Sequence, residues 1–111
     1  MQLNGLDITV ARSFRQRLVG LLGRRALAPD EALLLLPCSN IHTAWMRFAI
    51  DVVFLDRDGT ILSVSADVRP WRATATRHAH SCLELASGAA RRHGLAPGQH
   101  WPQLAAASLA R

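Results

Sequence analysis

Lysine and tyrosine are both absent from this chain of 111 residues. All 13 basic residues are therefore arginine, set against 8 acidic ones, for a formal net charge of +5. Arginine is the bidentate reader of carboxylates and phosphates. Alanine and arginine are also both encoded by GC-rich codons, so genome composition accounts for the bias without a partner. Long apolar runs are missing too. The longest, Ala32 to Leu36, is far short of the roughly 18 residues of a membrane-spanning helix. The opening MQLNGLDITV has no basic region leading into an apolar stretch, so it does not read as a secretory leader. The expected location is the cytoplasm, with no membrane span. Cysteine is scarce: Cys38 and Cys82 only. A cytosolic chain keeps such thiols reduced. A disulfide would require an exported protein and neighbouring Cα atoms.

The apolar content is 50% and the charged content 19%, which excludes wholesale disorder. A domain holds roughly 100–150 residues, so residues 1–111 read as one domain and a monomer. Its core spans about residues 5–101, and 102–111 form a tail, helical or frayed. Period-two alternation in LDITVA predicts a half-buried strand over 6–11. Ser13 and Gln16 have capping-box spacing and open a helix to Leu22, with Phe14, Leu18, Leu21 and Leu22 on one face. Ala32–Leu36 predicts a buried strand. IDVVFL at 50–55 predicts a central strand, Asp58-Gly59 a tight turn, and 60–68 the returning strand. Residues 69–80 read as a loop or edge, 82–86 as a strand, 88–94 as one or two helical turns, and His100-Trp101 as a short strand. The expected class is α+β. A compact, mostly antiparallel sheet, barrel-like or a sandwich, carries one helix from the N-terminal half and a short later helix.

Three blocks stand in order: Arg17-Leu18-Val19-Gly20-Leu21-Leu22-Gly23-Arg24, the run from Ile41 through Trp45-Met46 and Ile50-Asp51 to Asp56, and Leu83-Glu84-Leu85-Ala86-Ser87-Gly88. Together, over about residues 5–101, they resemble the bacterial and archaeal family called domain of unknown function 192. The resemblance implies a compact β-rich fold with flanking helices and no established activity. Many relatives look exported, with a leader that this chain does not show, which leaves an envelope location open.

Four constellations could carry chemistry. Arg17, Gly20 and Arg24 lie within about 60° of one another on a helix, at the rim of its buried face. Such arginines need carboxylates, and Asp51 and Glu84 are the candidates. They form either an ion pair tying helix to sheet or an anion-binding cleft with one guanidinium left for a ligand. Cys38, His42 and Met46 offer soft ligands at a spacing of four that fits a helix face, but Asn40-Ile41 and the strand pattern that follows argue against a helix, and a zinc site wants four ligands. A buried Cys, an exposed His and a core Met is the plainer reading, and no cofactor or metal is expected. Arg69, Trp71, Arg72 and Arg77, with His78 and His80, interleave charge with an aromatic, a pattern that can track phosphates while an indole stacks a base. Asp56-Arg57-Asp58-Gly59 lacks the later ligands of a calcium loop and reads as a hairpin turn.

The expected function is a non-catalytic binding module for a small anionic or polar ligand or a protein partner. Its site would be lined by Arg17, Arg24, His42, Met46, Asp51 and Glu84. The alternatives are a small hydrolase or transferase in which His42 works with Asp51, and nucleic-acid binding through the strip Arg69, Trp71, Arg72 and Arg77, which ranks below both.

Overall fold

A computed structural model describes residues 1–13, 17, 21 and 24–107. The strands are β1 (Gln2–Leu3), β2 (Leu6–Ala11), β3 (Glu31–Leu35), β4 (Asn40–His42), β5 (Ile50–Leu55), β6 (Ile61–Val68), β7 (Ala73–Ala75) and β8 (Ser81–Ala86). Two short helices follow, α1 (Ala89–Arg92) and α2 (Pro102–Ala107). Six strands form one sheet in the order β1-β2-β3-β8-β5-β6, and β4 pairs with β7 in a separate two-stranded sheet.

The α+β class is as expected, but the large sheet is not closed into a barrel. Its edges, β1 and β6, are not paired with each other. β1 has only two residues, too few to close a ladder. The sheet is also mixed. β2 and β3 run parallel, in register from Asp7 opposite Glu31 to Ala11 opposite Leu35. A parallel pair needs a long crossover, and residues 12–30 supply it. The capping box and most of the expected apolar face at 14–22 fall outside the described residues. Arg17 and Leu21 within that stretch are helical, and the Arg17 amide donates to the Ser13 carbonyl at 3.1 Å.

The central strands β3, β8 and β5 are buried on both sides, with β5 buried at all six positions. That explains why ALLLL and IDVVFL show no polar alternation: both faces are covered. On one face Leu34, Val53, Leu83 and Leu85 pack with Ala89, Ala90 and Leu104 of the two helices. On the other, Leu35, Val52, Phe54 and Cys82 pack with Leu21, Ile41 and Met46. The 50–68 hairpin forms as predicted. Asp56 Oδ1 accepts the amides of Asp58 and Thr60 in its turn, and Gly59 takes φ of 84°. A side chain at Gly59 would collide with the Trp101 carbonyl, because the 98–101 segment docks there through Trp101 N–H to Gly59 O at 2.7 Å. The strand expected at 100–101 is reduced to a single bridge between Thr60 and His100. Residues 69–80, read as a loop or edge, contain β7, which β4 completes.

Candidate functional site

Side chains alternate across a sheet, so the register decides which site residues can meet. Glu84 sits opposite Leu33 and Val52, whereas Asp51 sits opposite Leu85. The two carboxylates therefore face opposite sides of the sheet. Arg17 takes Glu84: its Nε donates to Oε1 at 2.8 Å, with Glu84 fully buried. The same guanidinium uses Nη2 to donate to the His42 carbonyl at 2.9 Å and to touch the Met46 sulfur at 3.8 Å. Arg17, the His42 carbonyl, Met46 and Glu84 are thus brought together, with the arginine spanning between them. Among the described residues Glu84 Oε2 has no hydrogen-bond partner. Burial pushes the Glu84 carboxyl above the ordinary glutamate range, and Arg17 offsets this only in part.

Asp51 and Arg24 are placed elsewhere. Asp51 Oδ1 accepts the Asp67 amide at 2.9 Å and Oδ2 accepts the Ala90 amide at 3.0 Å. It fastens the start of α1 and the end of β6 to the central strand. The pairing of His42 with Asp51, needed for the hydrolase or transferase alternative, is therefore not formed. The His42 backbone carbonyl lies with Arg17 on one side of the sheet, and Asp51 is spent on amides at the other. Arg24 forms a two-pronged contact with Glu31, both bonds 2.6 Å. That contact holds Glu31 below the usual carboxylate range and raises Arg24. Both groups are more than a third exposed or close to it, so the pair contributes well under about 1 kcal/mol. Glu31 and Glu84 are the chain's only glutamates, and each holds one arginine of the 17–24 block.

An open cleft of about 680 Å³ lies beyond the thiols. Arg12, Ser13, Pro37, Cys38, Ser39, Asn40, Arg57 and His80 line it, and its described lining contains no carboxylate. Arg57 and His80 also wall a second hollow of about 450 Å³, shared with Asp56, Asp58 and His78. The Cys38 amide donates to the His80 carbonyl at 2.9 Å, which draws the 37–40 segment alongside the approach to β8. Cys82 points from β8 to the same place, and its thiol donates to Cys38 Sγ at 2.7 Å. The Cys38 thiol donates to the Asn40 carbonyl at 3.2 Å. Donation from Cys82 lowers the Cys38 pKa against the cost of burial, while that contact and burial push Cys82 well up. The cleft joins residues from four separate stretches of chain. Only Cys38 had been singled out for chemistry, alongside His80 in a basic strip, and no local spacing marks the set. Among the described residues no group of three or more His, Cys, Asp or Glu is placed to hold a metal ion.

The basic strip shows a second surface. Trp45 and Trp71 are 72% and 58% exposed, and their rings meet edge-to-face with centroids 4.8 Å apart. Both have left-handed backbones, with φ of 67° and 64°, uncommon for a bulky residue. Buried Thr43 holds the two turns together. Its Oγ1 donates to the Arg69 carbonyl at 2.6 Å and accepts the Arg72 amide at 2.9 Å, and its carbonyl accepts the Trp71 amide. Trp71 thus meets Trp45 edge-to-face at the surface. Arg69 lies 3.9 Å from Asp67, with both side chains exposed. Arg72 and Arg77 are exposed as well, on either side of β7.

An open mixed sheet, helices on one face and a buried Arg–Glu pair on the other define an α+β domain of the kind the three blocks suggested. The chain belongs to the DUF192 family, described as Uncharacterized ACR, whose model matches residues 1–101. A crystal structure from Sinorhizobium meliloti 1021, provisionally described as a transcription regulator, is similar with a TM-score of 0.75 at 27% identity. That likeness covers 86% of this chain and 79% of the other. A protein of unknown function from Novosphingobium aromaticivorans DSM 12444 shares the fold with a TM-score of 0.73 at 22% identity, over 84% of this chain and 71% of that one. No curated protein matches the sequence. Among the described residues no helix is long and apolar enough to cross a membrane.

Proposed function

We propose that this domain is a non-catalytic binding module for a small anionic ligand, seated in the cleft beside Cys38. One observation carries the reading: Arg57 and His80 converge with Ser39 and Asn40 on a cleft whose described lining has no carboxylate. Clefts lined by one sign of charge concentrate ligands of the other. The Arg57 fork and the Ser39 hydroxyl suit a carboxylate or phosphate. In this reading Arg17, Glu84, Met46 and His42 position the wall behind the ligand, while Asp51 and Arg24 hold the frame. Inorganic phosphate is the simplest probe. Titrated into the protein, it should shift the backbone resonances of Ser39, Asn40, Arg57 and His80. Arg57→Glu, at an exposed turn position, should weaken that binding by about tenfold or more and leave the circular dichroism unchanged. Phosphate that moves no resonance around the cleft would end the proposal.

Nucleic-acid binding is a second reading, favoured by the exposed Trp45–Trp71 pair beside Arg69 and Arg72. The description of the Sinorhizobium relative as a regulator is in keeping with it. Indoles stack on bases at roughly 1–3 kcal/mol each. A random single-stranded oligonucleotide should then bind at low salt and be released as salt rises. Trp71→Ala should abolish most of that binding. Equal binding by wild type and variant, or none at low salt, removes this reading.

A further inference from the structure

Cys38 and Cys82 are far apart in sequence, yet their sulfurs are 2.7 Å apart. Cys82 is wholly buried in β8, whereas Cys38 is half-buried and lines the cleft. The neighbouring backbones are already joined by the Cys38 amide to His80 carbonyl bond, so bridging the thiols needs no large movement of either segment. One thiol lines the open cleft and the other waits behind it. This is the arrangement of an attacking and a resolving cysteine.

We propose that Cys38 and Cys82 are a redox-active dithiol that exchanges with a small anionic disulfide admitted through the basic cleft. The anionic preference rests on the binding reading above; the dithiol itself does not. In the first step the Cys38 thiolate attacks one sulfur of the small disulfide, forming a mixed disulfide and releasing one small thiolate. The Cys82 thiol then gives up its proton to that thiolate, and its sulfur attacks Cys38 Sγ. The Cys38–Cys82 bond forms and the second small thiolate leaves, taking a proton from solvent. Two protein thiols are oxidised and one small disulfide is reduced to two thiols. Donation from Cys82 lowers the Cys38 pKa and so favours it as the attacking group. The raised pKa of Cys82 keeps it protonated until the mixed disulfide forms.

The test uses the full chain, glutathione disulfide as the anionic probe and bis(2-hydroxyethyl) disulfide as the neutral one, followed by mass spectrometry. With glutathione disulfide the wild type should become two hydrogens lighter and carry no glutathione. Cys82→Ser should instead retain one glutathionyl group on Cys38, and Cys38→Ser should stay unmodified because Cys82 is buried. If Cys82→Ser does not fold, the wild-type mass and alkylation of its thiols decide alone. A wild type that keeps both thiols with either reagent overturns the dithiol, even where phosphate still binds. Arg57→Glu should react about tenfold more slowly with glutathione disulfide, a larger loss than it shows with the neutral disulfide. Equal rates with glutathione disulfide for wild type and Arg57→Glu overturn the anionic preference. Phosphate titration then reports separately whether the binding reading has failed with it.

Discussion

Arg17→Met is expected to cost about 3–5 kcal/mol of stability, the usual penalty for leaving a buried charge without its partner. Glu84 is completely buried, and among the described residues Arg17 is its only hydrogen-bonded partner and its Oε2 has none. Methionine roughly matches the arginine stem in length, so little packing is lost. The pair is also a clamp. The Arg17 guanidinium holds the His42 carbonyl and the Met46 sulfur, so the 42–46 segment should loosen, and amide exchange at Met46 should quicken. Urea unfolding checks the magnitude. Its pH dependence checks the cause. A carboxyl whose folded pKa lies above its unfolded value binds more protons when folded, so stability falls as pH rises between the two values. Glu84 is already raised, and losing Arg17 raises it further. The gap between variant and wild type should therefore be wider at pH 8 than near pH 4.5. A gap that does not change with pH would mean that the loss comes from packing rather than from the uncompensated charge. Replacing both partners with apolar residues should recover most of the loss, since well-packed substitutes for buried ion pairs are often neutral.

Asp51→Ala comes next, at about 2–4 kcal/mol. A buried donor left without an acceptor costs roughly 1–3 kcal/mol; here the buried Ala90 amide and the part-buried Asp67 amide both lose theirs. The Ala90 amide sits in the first turn of α1, and the Asp67 amide in a residue with φ of 52° at the end of β6. One carboxylate thus secures a helix start and a strained strand end to the central strand. Asp51→Asn should cost less, because its amide oxygen can still serve one donor while its NH2 faces the other. Amide exchange should rise first at Ala90 and Asp67 rather than throughout the sheet. Uniform exchange would indicate a general loss of core packing instead of two lost acceptors.

These two residues show how far the sequence could be read. The need of Arg17 for an internal acid followed from its place at the rim of an apolar helix face. Two carboxylates were available, and the linear sequence ranks neither. The β5–β8 register separates them, placing Glu84 with Val52 and Asp51 with Leu85. Arg24 was expected to pair with one of the same two acids. Glu31 takes it instead, seven residues further on at the start of β3, and strand alternation within 31–35 gives no hint of that partner. The cleft was still less visible. Arg12, Cys38, Arg57 and His80 come from four segments, and no spacing rule links them.

Other features were plain from local chemistry. Strand 6–11 showed its alternation, because one face of β2 meets the core and the other solvent. The 50–68 hairpin showed its turn, because Asp-Gly supplies the backbone that a tight reversal needs. The absence of lysine led from the start to the question of what the arginines bind. Composition, local periodicity and turn chemistry determined the α+β class, the main strands and the three family blocks, since each depends on neighbours a few residues apart. Tertiary structure alone decided that the sheet stays open, which carboxylate faces which arginine, and that Cys38 meets Cys82. Those outcomes depend on strand register and crossover geometry, which bring together residues that no local pattern connects.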